Sequence, residues 1–191
     1  VTLDDLIRKI NPTHLGVAFD PAGGTFRHEA FEQYKAQRPE TPEDIRKAVP
    51  VIKQLLEAMN IPVLEVSGFE ADDVIGSLAK MACSHGFETY MVTADKDLGQ
   101  LVNECTKIYI PGKNEIMGVK EVNEKYGIAH PQQIIDLLAL MGDSADNIPG
   151  CPSVGSVRAQ NLIQQFGSVD YLLEHTDELR GSMRLKVKEN A

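Results

Sequence analysis

Several features that mark other classes of protein are scarce or missing in this sequence. No apolar run approaches the ~20 residues of a membrane-spanning helix, which excludes a membrane span. The three cysteines, Cys83, Cys105 and Cys151, lack metal-ligand spacing, so we expect reduced thiols in a cytoplasmic protein. The five histidines do not cluster. No Ser or Cys nucleophile has a basic partner, so covalent catalysis is not expected.

The beginning of the chain also lacks the marks of a complete protein. Residues 1–10, VTLDDLIRKI, have the apolar spacing of an amphipathic helix rather than of a signal peptide, and no initiator Met precedes them. We therefore expect a fragment of a longer protein. Its 191 residues are enough for one good core with a small appended subdomain.

Apolar runs alternate with helical patterns along the first two thirds of the chain. The helix predicted at 41–60 has Thr41 as its N-cap and Pro42 at its first position, and Pro50 should kink or split it. The other segments are strands at 14–20, 62–68 and 89–95, a helix at 70–86 closed by Gly86, a hairpin at 107–119, and a helical remainder with a Gly- and Pro-rich break at 147–155. This alternation predicts an α/β fold with a mostly parallel sheet.

Carboxylates are concentrated in four short segments of the sequence. Asp20 and Asp95 end predicted strands, and the carboxyl ends of parallel strands gather ligand sites, so these acids should meet at one edge of the sheet. Each acid taken singly could be a helix cap or a partner of the helix dipole. A pair of hard divalent cations explains all four groups better, because Mg²⁺ and Mn²⁺ prefer oxygen ligands. The eight carboxylates are those of Asp20, Glu70, Asp72, Asp73, Asp95, Asp97, Asp143 and Asp146.

At these acids the sequence resembles the 5′→3′ exonuclease domain of bacterial DNA polymerase I, a member of the flap endonuclease superfamily. The resemblance runs in order from about residue 11 to about residue 175. It is carried by FDPAGGTFRHEAFEQYKAQRPETPEDI, GFEADDVIG, TADKDLGQLV and LLALMGDSADNIPGCPSVG.

The resemblance implies a flap endonuclease (PIN-like) fold with a helical arch and a C-terminal helical hairpin. It places an α/β metal-binding nuclease core at 1–118, with the arch at about 25–45, and a helical region at 119–191, with the hairpin at about 134–167. It further implies two Mg²⁺ or Mn²⁺ ions held by the eight acids. The EADD and T-x-D-x-D acids would hold the first ion directly, and Asp143 and Asp146 would approach the second, partly through water.

The implied activity is structure-specific hydrolysis of phosphodiesters by water in primer removal and DNA repair. The substrates would be DNA with a 5′ flap, nick or primer junction, and RNA primers in RNA–DNA hybrids. The enzyme would be a monomer, cytoplasmic and nucleoid-associated, with a polymerase fused downstream. One departure affects this assignment: family members begin with a strand bearing a further metal-binding Asp in a motif such as L-x-D-G, and no such segment precedes Val1.

Residues 25–39, TFRHEAFEQYKAQRP, combine basic and aromatic side chains. The residues alone favour a solvated helix face whose aromatics pack inward. The resemblance instead makes this segment part of the arch, where Tyr34 would stack on a base and Lys35 and Arg38 would steady the scissile phosphate. Arg27 would contact the DNA.

Residues 147–163, NIPGCPSVGSVRAQNLI, contain two glycines that permit a close approach of backbone to ligand, Gly150 and Gly155. Ser156 could cap the following helix, whose N-terminal amides would face a phosphate. A helix–turn–helix used only for packing is the alternative. The resemblance implies a duplex-binding hairpin, with K⁺ as an expected monovalent ion, and Arg158 stands beside the position of the family's usual lysine.

The charge balance argues at first against a nucleic-acid partner, because the net charge is −9. Setting aside the eight clustered acids leaves 20 acids against 19 basic residues, so the remaining surface is nearly neutral. We therefore favour the nuclease. Two alternatives stay open: a non-catalytic module that binds DNA junctions, and a Mg²⁺-dependent phosphotransfer domain.

Overall fold

The computed structural model describes residues 2–190 and divides the chain into two compact units, with the boundary between Met81 and Ala82. Of the helices in the described residues, none is both long and apolar enough to cross a membrane. The predicted division at 118/119 follows function rather than compactness and stays a prediction.

The first unit pairs two very short parallel strands and surrounds them with helices. The ladder joins Val17 to Val63 and Ala18 to Leu64. Only two residues of each strand form ladder pairs, so both strands are shorter than predicted. The elements are α1 (Thr2–Ile10), β1 (Val17–Ala18), α2 (Phe26–Ala30), α3 (Glu43–Ala58), β2 (Val63–Leu64) and the larger part of α4 (Ala71–Ser84).

The long helix α3 differs from its prediction at its start. Pro42 is the N-cap residue, so Thr41 lies outside the helix and its predicted capping role was wrong. Pro50 lies inside the continuous helix. It removes one backbone hydrogen bond without splitting the helix. The helix leaves apolar side chains such as Ile45, Val51 and Leu55 more than half exposed.

The second unit contains a three-stranded mixed sheet and most of the buried core. β3 (Thr89–Val92) pairs in parallel with β4 (Thr106–Ile110), and β4 pairs antiparallel with β5 (Glu115–Met117). The predicted hairpin is therefore confirmed, as is the α/β class. The remaining elements are 3₁₀ helices at Asp97–Leu101, Pro131–Gln133 and Thr176–Glu178, α5 (Val119–Tyr126), α6 (Ile134–Met141), β6 (Gly142–Asp143), β7 (Ile148–Pro149), α7 (Ser156–Phe166), α8 (Val169–Glu174) and α9 (Ser182–Glu189).

Helices α6, α7 and α8 bury their apolar stripes together. Ile134, Ile163 and Leu172 are each 1% exposed or less. Asp136 of α6 accepts a 2.8 Å hydrogen bond from the amide of Val169, the first residue of α8. Asp136 is half-buried, and it satisfies an amide at the start of α8 that has no partner within the helix.

Two of the three cysteines form a disulfide, which corrects the expectation of reduced thiols. The Cα atoms of Cys83 and Cys105 are 5.7 Å apart. Parallel pairing of β3 with β4 brings them together, because the amide of Thr89 donates to the carbonyl of Cys105 at 2.7 Å and Cys83 lies near the end of α4, shortly before β3. Cys151 is a free thiol whose pKa is raised by burial.

Candidate active site

The start of α4 collects the acids of the first unit. Asp20 follows β1, and its carboxylate accepts a 2.7 Å hydrogen bond from the amide of Ala71, the first residue of α4. A carboxylate at this position also interacts favourably with the helix dipole. The start of α4 therefore lies beside Asp20. The expectation that Asp20 and Asp95 meet at one edge of a single sheet was wrong, because in the described residues β1 and β3 belong to separate sheets.

Glu70 and Asp73 face each other across the first turn of α4. The backbone amide of Glu70 donates to the Asp73 carboxylate at 2.9 Å, which is one half of a capping box. The alternative that these acids serve as helix caps is therefore partly correct. The Glu70 side chain is buried, with 8% of the residue exposed, so its carboxylate needs a compensating partner.

That partner comes from the segment predicted to form the arch. The Lys35 ammonium donates to both carboxylate oxygens of Glu70, at 2.8 and 2.9 Å. The Tyr34 hydroxyl donates to the same carboxylate at 3.0 Å, and Tyr34 is only 5% exposed. Lys35 has a φ of +55°, a left-handed conformation that is unfavourable for a lysine. Tyr34 thus packs inward here, and its stacking on a base stays a prediction.

Arg27 forms the second ion pair of this group. Its guanidinium donates two hydrogen bonds to Asp73, at 2.7 and 2.8 Å, and lies over the ring of Phe26. The hydrogen bond from Arg27 holds the pKa of Asp73 below its usual value, although burial opposes this effect. Arg27 is predicted to bind DNA, and in this structure it binds a predicted metal ligand instead.

Asp72 and Arg38 complete the predicted set in this unit. Asp72 is half-buried in the first turn of α4, next to Asp73. Arg38 is exposed, and its backbone amide donates to the carbonyl of Lys35 at 2.9 Å, so the turn that places Lys35 also places Arg38.

The second unit brings together the other four acids. The backbone amide of Asp97 donates to the Asp95 carboxylate at 2.9 Å. Burial raises the pKa of Asp97 from 3.8 to about 6, and repulsion from Asp95 adds to this, with smaller contributions from Asp143 and Asp146. The charges of Asp95, Asp143 and Asp146 therefore act on Asp97, and a metal site shared by TADKD and GDSADN stays a prediction.

Lys96 is a member of this group that the sequence interpretation missed. Its ammonium lies 2.9 Å from the Asp143 carboxylate. Burial opposes the charged form of Lys96, but the hydrogen bond and the attraction of Asp143 outweigh it and raise the pKa of Lys96. The available signal was its position between Asp95 and Asp97 in TADKD.

The donor chemistry of this group fits a divalent cation. All four side chains offer carboxylate oxygens, the ligands of Mg²⁺ and Mn²⁺. One oxygen of Asp97, Oδ1, is buried and accepts no hydrogen bond from any described residue. Within residues 2–190, however, no three His, Cys, Asp or Glu side chains lie close enough to hold a metal ion. Three of the predicted ligands are instead paired with cationic side chains: Glu70, Asp73 and Asp143.

The glycines of the predicted hairpin have different surroundings. A Cβ atom on Gly150 would lie 2.2 Å from the carbonyl carbon of Met141 and 2.3 Å from the amide nitrogen of Gly142. Close packing of two backbone segments therefore explains this glycine without a ligand. A Cβ atom on Gly155 would meet nothing described within 4 Å, so the start of α7 is open to an approaching ligand.

The first turn of α7 differs from the prediction in one detail. Gly155 is the N-cap residue and Ser156 the first helical residue, so the capping role predicted for Ser156 was wrong. Arg158 is exposed, and its guanidinium donates to the carbonyl of Ser153. The Lys186 ammonium of α9 donates to the Ser153 hydroxyl at 2.7 Å, which adds a second cation to this loop.

Two family models together cover nearly the whole chain. The model described as 5′-3′ exonuclease, N-terminal resolvase-like domain, matches residues 1–127. The model described as 5′-3′ exonuclease, C-terminal SAM fold, matches residues 129–191.

Curated relatives point the same way. The DNA polymerase I of Bacillus subtilis is 47% identical over 182 residues, which are 93% of this chain and 20% of the relative. The DNA polymerase I of Bacillus caldotenax is 42% identical over 98% of this chain and 21% of its own length. A 5′-3′ exonuclease of Aquifex aeolicus is 39% identical over 98% of this chain and 65% of its own length. The chain thus spans about a fifth of its polymerase relatives.

Solved structures agree on the fold. The T5 5′-exonuclease with bound divalent zinc has a TM-score of 0.80 at 23% identity, covering 97% of this chain and 73% of the other. The catalytic core of Rad2 in complex with DNA substrate has a TM-score of 0.54 at 20% identity, covering 91% of this chain and 58% of the other. With two family models matching in order and relatives above 40% identity, this chain belongs to the 5′-3′ exonuclease family.

Proposed function

We propose that this chain is a 5′→3′ exonuclease and flap endonuclease domain that hydrolyses DNA phosphodiesters with two divalent metal ions, in primer removal and repair. The observation that carries the proposal is the acid group of Asp95, Asp97, Asp143 and Asp146, with its raised Asp97 pKa and its unpartnered buried oxygen. So large an electrostatic penalty is typical of a functional site rather than of a structural one.

In this proposal the carboxylates hold Mg²⁺ or Mn²⁺. Bound ions of this kind activate water and neutralise charge that develops on the phosphodiester. Asp95 and Asp97 stand together after β3, and the Asp95 carboxylate holds the Asp97 amide, which fixes the turn that carries both ligands. Asp143 lies in the β6–β7 hairpin, where its carboxylate accepts the amide of Ala145 at 2.8 Å. The loops are thus shaped before any ligand binds.

The remaining predicted residues would handle the nucleic acid. Lys35, Arg38 and Arg27 are the cations of the 25–38 segment, and guanidinium and ammonium groups suit a phosphate. The open amides at Gly155, with Arg158 beside them, would hold the backbone of a duplex without reading its bases. Relatives solved with DNA and with metal ions support DNA as the partner. An RNA–DNA hybrid, a monomeric state and a K⁺ ion at the hairpin belong to the proposal on the resemblance alone.

The experiment is a calorimetric titration of the 191-residue chain with Mn²⁺, followed by cleavage of a 5′-flap DNA. Asp72→Asn combined with Asp95→Asn should weaken Mn²⁺ binding and flap cleavage together, while far-UV circular dichroism stays unchanged. Asp170→Asn, which alters an exposed acid of α8, is the matched control and should bind and cleave like the parent.

The outcomes separate the candidate functions. Unchanged Mn²⁺ binding in the double variant would remove these two acids from the site. A parent chain that binds Mn²⁺ and flap DNA but leaves the flap intact would favour the junction-binding module. Cleavage of a simple phosphate monoester but not of DNA would favour the phosphotransfer domain.

A further inference from the structure

Cations from the predicted DNA-binding segment occupy the predicted metal ligands of the first unit. Lys35 is paired with Glu70, 35 residues away in sequence, and Arg27 with Asp73, 46 residues away. Both pairs are partly shielded: the side chains of Lys35 and Glu70 are 19% and 11% exposed, and those of Arg27 and Asp73 are 33% and 23% exposed. These are not ordinary surface ion pairs, which lie in high dielectric and bind weakly.

The geometry leaves little room for a metal ion beside these cations. The Lys35 ammonium contacts both oxygens of Glu70, and the Arg27 guanidinium contacts both oxygens of Asp73. A divalent ion that binds the same carboxylates has to displace the protein cation or share an oxygen with it. Sharing is unfavourable because the two positive charges repel each other strongly at that distance. Metal and side-chain cation therefore compete.

The backbone conformation at Lys35 is consistent with one that is imposed by contacts to other residues. Its φ of +55° is uncommon for a residue with a Cβ atom, and such conformations persist when surrounding contacts impose them. The contacts here include the Lys35 and Tyr34 hydrogen bonds to Glu70. Removal of the Glu70 contact weakens this constraint on the turn.

We propose that Arg27 and Lys35 are the resident counter-ions of the metal-free site, and that a divalent cation takes their place on Asp73 and Glu70. This inference rests on the proposed function. Once displaced, both side chains no longer pair with carboxylates of the protein. They and the 25–38 segment that carries them can then bind phosphate. Metal loading thereby switches on the DNA grip of this segment, so an enzyme without metal holds its own cations back from DNA.

The first test measures Mn²⁺ affinity by calorimetry for the parent and for Lys35→Met. Loss of the competing ammonium should tighten Mn²⁺ binding by about tenfold, since one opposing charge near the site is removed. Lys35→Arg, which keeps the charge, should bind Mn²⁺ like the parent. Lys113→Met, on the exposed turn between β4 and β5, makes the same change in net charge and should also leave the affinity unchanged.

The second test follows amide hydrogen exchange in residues 25–38 without DNA. Saturating Mn²⁺ should accelerate exchange in the parent, and Lys35→Met should exchange fast even without Mn²⁺. Arg27→Met tests the second ion pair, on Asp73, independently of Lys35→Met and remains useful if Lys35→Met fails to fold. It too should bind Mn²⁺ more tightly than the parent.

The results decide between the two proposals. Two results would overturn the counter-ion proposal and leave the nuclease proposal standing. In the first, the parent binds Mn²⁺ and neither Met variant binds it more tightly. In the second, the rate of amide exchange in residues 25–38 does not change when Mn²⁺ is added. Failure of parent and variants alike to bind Mn²⁺ overturns both.

Discussion

Replacing Asp97 with Asn should stabilise the metal-free protein at neutral pH. In the folded state the pKa of Asp97 is raised from 3.8 to about 6, first by burial and then by the charge of Asp95. The unfolded chain relieves both effects, so the ionised carboxylate weakens the fold. Asn has the same size and no charge, and it removes this repulsion.

The magnitude follows from the shift. Each pKa unit corresponds to about 1.4 kcal/mol, so the full shift would amount to about 3 kcal/mol. Asp97 is only half-buried, and screening by solvent reduces the expected gain to about 1–2 kcal/mol. That gain is a sizeable share of the stability of a typical domain.

The pH dependence provides the sharper check. Well below pH 3.8 Asp97 is protonated in both the folded and the unfolded state and should contribute no penalty. As the pH rises through the interval from about 4 to about 6, the folded state must lose a proton that it binds more tightly, so stability falls. The advantage of Asp97→Asn should therefore grow across this interval and stay constant above about pH 7.

The assay is urea unfolding in EDTA, followed by circular dichroism because the chain contains no Trp. The parent, Asp97→Asn and the control Asp170→Asn are compared at several pH values. The lowered pKa of Asp143 acts in the opposite direction but is present in all three proteins, so it largely cancels in the comparison. An Asp97→Asn protein that is less stable than the parent at neutral pH, or an advantage that does not shrink in acid, would refute the reasoning.

Three other changes have effects that can be read from the structure. Gly150→Ala should destabilise the fold by at least about 3 kcal/mol in urea unfolding, because the new Cβ atom would overlap the backbone of Met141 and the backbone would have to move. Asp136→Ala should lower the unfolding free energy by about 1–3 kcal/mol by leaving the amide of Val169 without its partner, while Asp136→Asn should retain most of the stability. Arg158→Ala should reduce the slope of log affinity against log salt by about one on two duplexes of unrelated sequence, measured by fluorescence anisotropy; an unchanged slope would show that the guanidinium contacts no phosphate.

Local signals were sufficient for the elements whose causes lie within a few residues. The hairpin was predicted from its turn, where Asn114 has a φ of +53°, and the end of α4 from Gly86, with a φ of +79°. The acids were found because they follow strands or begin a helix, positions that a linear pattern reveals. Asp20, which follows β1, accordingly contacts the first residue of α4.

The partners of the charged residues could not be predicted in this way. Arg27 and Lys35 were assigned to DNA, and the structure places them on carboxylates that are distant in sequence. An ion pair is decided by proximity in space, and neither residue carries a local mark of its partner. The disulfide was missed for the same reason, since its cysteines meet only after β3 and β4 pair. Gly150 was singled out for the approach of a ligand, which stays a prediction, and its contact with the backbone of Met141 and Gly142 was missed.

The crossing of Gly142 and Gly150 has a consequence for how this protein can change. The two backbones touch, so residues 143–149 form a loop whose ends are pinned together just after α6 and before α7. Lengthening a loop with fixed ends is inexpensive: doubling it adds only about 0.6 kcal/mol. Insertions among residues 144–147 could therefore shift Asp146 relative to Asp143 while both helices keep their places. Because the contact between Gly142 and Gly150 fixes the ends of the loop, the spacing of the two acids can be changed by evolution or by design without altering the surrounding fold.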